Sequence, residues 1–172
     1  MSEHRSLVGA LVELHRLVPE DVEPITAIWE RDASVRARWA AHPREDLQRI
    51  ARPVEHEAGW TIRAGGELVG YIQHYEEADP DYRHAGIDVF LAETAQGRGY
   101  GTDAVRTLAR HLVDDLGHHR LVIDPAADNA HAIACYAKVG FRPVGVMRSY
   151  ERGPDGTWHD GLLMDLLAAE LT

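Results

Sequence analysis

A glycine-rich turn between a predicted strand and a predicted helix constrains the fold of this chain more than any other feature. Residues 86–92 have the apolar character of a strand, and the turn at residues 96–102 follows them closely. An apolar stripe with helical spacing then runs to Leu116, and residues 119–124 again have the character of a strand. A strand, a helix and a second strand in this order predict a parallel βαβ crossover.

The other segments predict a mixed sheet with helices on both of its faces. Two strand patterns flank Gly65 and Gly66, which predicts a β-hairpin. We expect a single domain over residues 1–172, of the α/β (α+β) class, with a mostly antiparallel sheet of about seven strands. The expected strands are residues 11–17, 60–63, 68–75, 86–92, 119–124, 141–146 and 161–167, and the expected helices are residues 19–29, 34–41, 43–54, 104–116 and 129–139.

The acidic composition narrows the range of partners. A formal net charge of −10 argues against a nucleic-acid-binding protein, which would present a basic face. An acidic surface attracts cationic molecules, although solubility is the simpler explanation of the charge when it is taken alone.

The chain also lacks the features of a membrane or secreted protein. No apolar run approaches the roughly 18 residues of a membrane helix, and the first residues lack a signal-peptide core. Cys135 is the only cysteine, so no internal disulfide can form. These features predict a cytoplasmic protein with no membrane partner.

The glycine-rich turn has the chemistry of an anion site. Gly97, Gly99 and Gly101 allow a tight backbone turn, and the free amides at the following helix N-terminus attract an anion. Arg98 can add a charge and Thr102 a hydroxyl. The glycine spacing does not match the dinucleotide-binding motif, and the Gly-Lys-Ser/Thr of a Walker motif is missing. By itself the turn therefore predicts only an anion-binding site.

Two segments resemble the motifs of the GNAT superfamily of acyl-CoA N-acyltransferases. Residues 96–101 match its Gln/Arg-x-x-Gly-x-Gly/Ala hallmark, and residues 129–141 are similar to its Asn-x-x-Ala-x-x-x-Tyr-x-Lys-x-Gly-Phe stretch. The resemblance covers roughly residues 11–167. It implies the GNAT fold with a splayed pair formed by strands 4 and 5, acetyl-CoA as the cofactor, and transfer of an acetyl group to an amine.

The same resemblance implies roles for individual residues. Tyr136 would be the general acid that protonates the departing thiolate, although a packing role for its ring stays open. The turn would bind the pyrophosphate of coenzyme A, the backbone of the preceding strand its pantetheine arm, and Asn129 a further part of the cofactor. The cofactor-binding set is thus Val89, Phe90, Leu91, Gln96, Gly97, Arg98, Gly99, Tyr100, Gly101, Thr102 and Asn129.

Within the superfamily, Gly86-Ile87-Asp88, Asp124-Pro125 and the sequence before Tyr136 look like those of aminoglycoside 6′-N-acetyltransferases. This likeness implies a small cationic amine as the substrate, with Asp88 as the base and Trp39, Asp88, Asp124 and Asp155 as substrate-binding residues. A carboxylate beside the acyl carbon suits this chemistry, because it binds the ammonium group and then accepts its proton. Each residue has a simpler alternative: Asp124 as a cap, Asp155 as a turn residue, and Trp39 as core.

Departures from the antibiotic enzymes keep other substrates open. The acidic segment between Tyr75 and Gly86 is shorter and lacks their tryptophan pair, while the loop at residues 148–160 is longer. A siderophore lysine, a polyamine or a protein N-terminus are alternative acceptors, and a non-catalytic acyl-CoA-binding module is the alternative to an enzyme. We expect no metal, a monomer or a homodimer, His74 at the surface, and Cys135 buried.

Overall fold

One mixed sheet of eight strands organises the chain in the computed structural model, which describes residues 6–39 and 42–172. The sheet order is β1-β2-β3-β4-β5-β6-β8-β7, and every neighbouring pair is antiparallel except β5 and β6. The strands are β1 (Leu7–Val8), β2 (Glu13–Arg16), β3 (Glu57–Ala64), β4 (Glu67–Glu77), β5 (His84–Leu91), β6 (Arg120–Ile123), β7 (Arg142–Arg152) and β8 (Trp158–Leu167).

Helices cover both faces of the sheet, which confirms the predicted fold class. Tyr71 of β4 packs against Trp39, which follows the second helix, while Trp60 of β3 packs against His111 on the opposite face. A 3₁₀ turn at Pro19–Asp21 precedes the first helix, and a π-helical turn at His111–Asp115 extends the fourth. The helices are α1 (Val22–Arg31), α2 (Ala33–Arg38), α3 (Arg44–Ile50), α4 (Tyr100–Arg110) and α5 (Ala130–Ala137).

The element bounds depart from the expectations in a few places. The sheet has eight strands rather than about seven, because β1 is too short to show a period in the sequence. The helix expected at residues 43–54 ends at Ile50, and the expected end of the helix before it, at residue 41, lies outside the described residues. The last two strands are longer than expected and leave only a short turn, since a bulge in β7 interrupts the alternation.

The pairing of β5 with β6 is brief. Only Ala85 with Leu121 and Gly86 with Val122 are in register, whereas β5 continues to Leu91. The two strands therefore splay apart, as predicted.

The backbone of β5 beyond Gly86 faces the resulting gap. Ala92 donates its amide to the Val69 carbonyl on the β4 side (2.8 Å). Because successive amides of a strand point to opposite sides, the amides of Leu91 and Val89 point into the gap. No helix within the described residues has the length and apolarity needed to cross a membrane.

Candidate active site

The glycine-rich turn forms an open ring of backbone donors at the start of α4. Gly97 (φ 74°) and Gly99 (φ 83°) are both in the left-handed region that favours glycine. The first helical bond runs from the Asp103 amide to the Gly99 carbonyl (3.0 Å), and the amides of residues 97–102 donate to no acceptor within residues 6–39 and 42–172. A Cβ at Gly97 would meet no atom within 4 Å, so the space beside this residue is open. The turn fits a pyrophosphate group.

Buried aspartates that the sequence analysis did not single out hold this turn in place. Asp103 accepts the amides of Ala10 (3.2 Å), Leu11 (2.7 Å) and Val12 (3.0 Å), which fastens the segment before β2 to the first turn of α4. Asp32 accepts the amide of Glu93 (2.7 Å) and thereby ties the α1–α2 junction to the loop before the turn. In sequence, both look like ordinary acids near a helix start.

A groove of about 580 Å³ leads from the turn towards Tyr136. Ser34 of α2 also lines it and has a buried hydroxyl with no partner among the described residues. Of the predicted cofactor residues, Arg98 and Tyr100 do not line the groove; Arg98 is exposed and Tyr100 packs against the core. Those that do are Val89, Phe90, Leu91, Gln96, Gly97, Gly99, Gly101, Thr102 and Asn129.

A second cavity of about 640 Å³ adjoins this groove, and we call it the acceptor cavity. Four residues line both spaces, which places the junction beside α5 and the open side of β5: Arg38, Val89, Asn129 and Tyr136. The remaining walls bring together Trp39, Asp88 and Asp124, which were predicted, with Tyr150, Glu151 and Trp158, which were not.

Asp88 lies on β5 opposite Gln73 of β4, whose Nε2 donates to the Asp88 carboxylate (3.0 Å). Burial raises the pKa of Asp88 to about 6, and the negative charges of Asp124 and Glu151 add to the effect, while the hydrogen bond from Gln73 opposes it. A carboxylate with a pKa in this range can accept a proton near neutral pH.

Tyr136 lies on α5 at the junction of the two spaces. Burial raises the pKa of its phenol well above the ordinary value, so the hydroxyl keeps its proton at neutral pH. Its ring also makes an edge contact with Phe141 (6.4 Å between centroids). The position is compatible with both a chemical and a packing role.

Asp124 is held from β7. The Tyr150 hydroxyl donates to the Asp124 carboxylate in a short hydrogen bond. Burial raises the pKa of Asp124, and burial together with the charge of Asp124 raises the pKa of Glu151. The acceptor cavity therefore concentrates negative charge.

A β-bulge turns Tyr150 and Glu151 into this cavity. The register of β7 against β8 shifts between Met147 and Glu151, and Ser149 has a left-handed backbone (φ 49°). The Ser149 amide donates to the Asp160 carboxylate (2.8 Å), which stabilises the bulge. Bulges of this kind re-aim side chains next to functional sites, and no local sequence signal announces this one.

Comparison with known proteins decides the family. Residues 12–142 match the acetyltransferase (GNAT) domain family, which covers well over half of the chain. The chain is a member of the GNAT acetyltransferases. Acetyltransferases of this family use acetyl-CoA, in agreement with the groove and the turn described above.

Several relatives of this GNAT acetyltransferase act on amines. Aminoglycoside N(6′)-acetyltransferase type 1 of Klebsiella pneumoniae is 39% identical over 103 residues, which cover 53% of this chain and 48% of the relative. The chain therefore spans about half the length of that enzyme. N-alpha-acetyltransferase RimI of Mycobacterium tuberculosis is 32% identical over 145 residues, covering 77% of this chain and 87% of the relative.

Solved structures give the same fold. Aminoglycoside acetyltransferase AAC(6′)-Ib in complex with coenzyme A superimposes with a TM-score of 0.72 at 28% identity, covering 91% of this chain and 94% of that one. Spermidine N-acetyltransferase from Vibrio cholerae in complex with coenzyme A and spermine has a TM-score of 0.81 at 18% identity, covering 94% of this chain and 98% of that one, a likeness of fold alone.

Asp155 is the one predicted substrate residue that the acetyltransferase fold does not bring to the acceptor cavity. Its carboxylate accepts the Thr157 amide (3.0 Å) and hydroxyl (2.8 Å) and lies 3.2 Å from His159. These contacts lower its pKa to about 2. Asp155 thus occupies the turn between β7 and β8, the simpler of its two expected positions.

Trp39 and Asn129 each contribute to the packing or capping of the fold and also line the acceptor cavity. Trp39 packs edge-on against Phe90 (5.0 Å between centroids) and also lines the acceptor cavity. Asn129 caps α5 by accepting the Ala132 amide (3.3 Å) and lines both spaces.

The expectations for His74 and Cys135 were wrong. His74 is only 3% exposed, and burial lowers its pKa to about 4. Cys135 is partly exposed and lines the groove that leads from the glycine-rich turn towards Tyr136.

Proposed function

We propose that this acetyltransferase transfers the acetyl group of acetyl-CoA to a primary amine of a small polycationic molecule, with the 6′-amine of an aminoglycoside as the first candidate. The observation that supports this best is the set of carboxylates in the acceptor cavity, formed by Asp88, Asp124 and Glu151. In the part of the chain that the structure describes, none of them forms an ion pair.

The positive charges that line the same cavity have other partners. Arg38 pairs with Asp128 (2.5 Å), and Arg152 donates to the Gly156 carbonyl (3.3 Å). Arg152 keeps its charge beside the cavity, but none of the three carboxylates has an ion-pair partner within the described residues, which favours a ligand that supplies several ammonium groups. A single amine, such as a peptide N-terminus, would leave most of this charge uncompensated.

Asp88 is assigned the role of general base. Acetyl-CoA supplies an activated acetyl group as a thioester, but an incoming ammonium group cannot attack until it has lost a proton. The Asp88 carboxylate can accept that proton, directly or through a water molecule, because its pKa of about 6 leaves it ionised at neutral pH. Asp124 and Glu151 then hold the other ammonium groups of the acceptor.

Two further groups face the reacting atoms from the cofactor side. Tyr136 holds a proton on its hydroxyl and can donate it to a thiolate at the junction of the groove and the cavity. The Val89 amide, which points into the gap between β5 and β6, can donate a hydrogen bond to a carbonyl oxygen there.

Replacing Tyr136 by phenylalanine tests this assignment. We expect kcat to fall about tenfold to hundredfold, because a proton donor is lost while the ring and its contact with Phe141 are kept. KM for the acceptor should change little. Steady-state release of free thiol from acetyl-CoA measures both constants. An unchanged kcat would show that Tyr136 has only a packing role.

The choice among polycations rests on the aromatic walls and on the relatives. Trp39, Tyr150 and Trp158 offer flat faces that suit a sugar ring. The identity to aminoglycoside N(6′)-acetyltransferases favours an aminoglycoside. A polyamine is the second candidate, because the same carboxylates would suit a flexible chain of ammonium groups.

A panel of acceptors separates these candidates. Release of free thiol from acetyl-CoA should be measured with kanamycin-type aminoglycosides, spermidine, lysine and a short peptide, followed by mass spectrometry of the product. We expect the highest kcat/KM with an aminoglycoside. A preference for spermidine would replace the first candidate by the second, a preference for the peptide or lysine would refute a polycationic acceptor, and no thiol release with any amine would refute the proposed reaction.

Glu151 tests the multivalent character of the acceptor. We expect Glu151→Gln to raise KM about threefold to fivefold for aminoglycosides or spermidine, since an ion pair at a partly solvated carboxylate is lost. KM for a simple monoamine should not change. Glu67→Gln, which removes the same charge at the exposed end of the β3–β4 hairpin, serves as the control for long-range charge effects. Equal effects of the two variants would contradict a local contact.

A further inference from the structure

The hydrogen bond that Asp88 receives belongs to a chain of side chains on one face of the sheet. The Tyr71 hydroxyl donates to Oε1 of Gln73 (2.9 Å), and Nε2 of Gln73 donates to Oδ2 of Asp88 (3.0 Å). Tyr71 and Gln73 are two residues apart on β4, and Gln73 is directly opposite Asp88 on β5. The pleat of the sheet therefore places all three side chains on the same face.

Tyr71, at the far end of this series of hydrogen bonds, is buried inside the protein. Tyr71 is 1% exposed and packs against Trp39 and Phe90. Its hydroxyl lies in a space that exists only because residue 59 is glycine, since a Cβ there would come within 2.5 Å of the oxygen. Burial holds the pKa of Tyr71 far above its ordinary value, so the hydroxyl keeps its proton near neutral pH.

The Tyr71 hydroxyl can donate or accept a hydrogen bond, and in the structure it donates to Oε1 of Gln73, which leaves Nε2 of that amide facing Asp88. An amide has a carbonyl oxygen that accepts and an NH₂ group that donates, and a rotation of half a turn exchanges them. With the carbonyl turned to Tyr71, the NH₂ group faces the carboxylate and favours its ionised form. With the amide reversed, the carbonyl would face Asp88 and favour its protonated form.

We infer that Tyr71 is a positioning residue for the base: by donating to Gln73 it holds the amide in the orientation that keeps Asp88 ionised and ready to accept a proton. The inference rests on the proposed role of Asp88. It assigns a function to a buried tyrosine that does not line the acceptor cavity.

Other charged and titratable groups face Asp88 and Tyr71, and they act in both directions. Asp124, Glu151 of β7 and Glu57 of β3 disfavour the charge on Asp88. Asp46 of α3 and Glu57 disfavour a charge on Tyr71, while Arg16 of β2 favours it. The phenols of Tyr75, Tyr136 and Tyr150 also lie within electrostatic range of Asp88. Among these groups, only Gln73 lowers the pKa of Asp88. The orientation of the Gln73 amide therefore has a marked effect on whether Asp88 is ionised.

The test is the Tyr71→Phe variant, which keeps the ring and removes the hydroxyl. We expect the apparent pKa of the acidic limb of kcat/KM to rise by about 0.5 to 1 unit, with activity above that limb within about twofold of the unaltered enzyme. A uniform loss at every pH would indicate a structural role and would overturn the inference, as would an unshifted profile. Tyr82→Phe, at a tyrosine that is 74% exposed, is the matched control and should leave the profile unchanged.

A double variant makes the test independent of how well the core tolerates the change. Gln73→Leu removes the amide, so Tyr71→Phe should add no further shift in that background, whereas additive shifts would overturn the inference. Titration of the Asp88 carboxyl by ¹³C NMR supplies the same comparison without an acceptor. The pKa of Asp88 is therefore measured even if no amine proves to be a substrate, which separates a failure of this inference from a failure of the proposed function.

Discussion

Asp88→Asn is expected to lower kcat/KM for the best acceptor about 10²- to 10⁴-fold, the range typical of a lost general base. The asparagine keeps the size of the side chain and an oxygen that can accept from Gln73. What it loses is the ability to take a proton from the acceptor's ammonium group. Thiol release at saturating acetyl-CoA, measured over a series of acceptor concentrations, gives the value directly.

The pH dependence of the unaltered enzyme follows from the same residue. The pKa of Asp88 is raised to about 6 by burial, so activity should fall as the pH drops through about 6 and the base becomes protonated. The residual activity of Asp88→Asn should not show this fall as the pH drops through about 6. An unaltered enzyme whose activity persists well below pH 5 would contradict the assignment.

Stability should change in the opposite direction to activity. The folded-state pKa of Asp88, about 6, lies above its ordinary value of 3.8, so ionisation destabilises the folded protein at pH 7 and this cost disappears as the pH falls through both values. Removing the charge should raise the free energy of unfolding at pH 7 by up to about 3 kcal/mol. Asp114→Asn, at an exposed position on the π-helical turn, should change neither property. A loss of both stability and activity in Asp88→Asn would point to a structural role instead.

Gly99→Val is expected to weaken binding of coenzyme A at least about fiftyfold. Gly99 has a φ of 83°, which a β-branched residue adopts only with strain, and its added Cβ would lie 3.3 Å from Leu11. The turn should respond by moving its amides out of the arrangement that faces the pyrophosphate. Isothermal titration calorimetry with coenzyme A measures the change without any acceptor.

Gly145→Val is the matched control for this substitution. Gly145 lies on β7, its backbone φ is not positive, and a Cβ there meets no atom within 4 Å. A valine in a strand should leave coenzyme A affinity unchanged. If Gly99→Val folds with a similar melting temperature and still binds coenzyme A with full affinity, the turn is not the pyrophosphate site.

The cofactor half of the site could be predicted because its signals are local. Gly97, Gly99 and Gly101 lie within five consecutive residues, and Gly97 and Gly99 adopt the positive φ that glycine itself favours. Asn129 caps the short helix that carries Tyr136, so their relative positions follow from its geometry. Local hydrogen bonds and helix periodicity are encoded over a few residues, which is the range that a single sequence reveals.

The acceptor half could be predicted only in part. Asp88 lies on β5 and Asp124 directly follows β6, and both line the acceptor cavity. Tyr150 and Glu151 reach the cavity through the bulge at Ser149, and that bulge is stabilised by the hydrogen bond that the Ser149 amide donates to the Asp160 carboxylate on the neighbouring strand. A hydrogen bond between two strands cannot be recognised from the alternation of apolar and polar residues in either strand.

The sequence alone was sufficient to predict a βαβ crossover with a glycine-rich turn and, through the likeness of its motifs, the GNAT fold and acetyl-CoA. The tertiary structure decided which acids share the acceptor cavity, leaving Asp155 in a turn and bringing in Glu151. It also brought Tyr71 and Gln73 into the series of hydrogen bonds that ends at Asp88. The reason is physical: a turn stores its conformation in its own residues, whereas a pKa and a charged cavity arise from groups that only folding brings together.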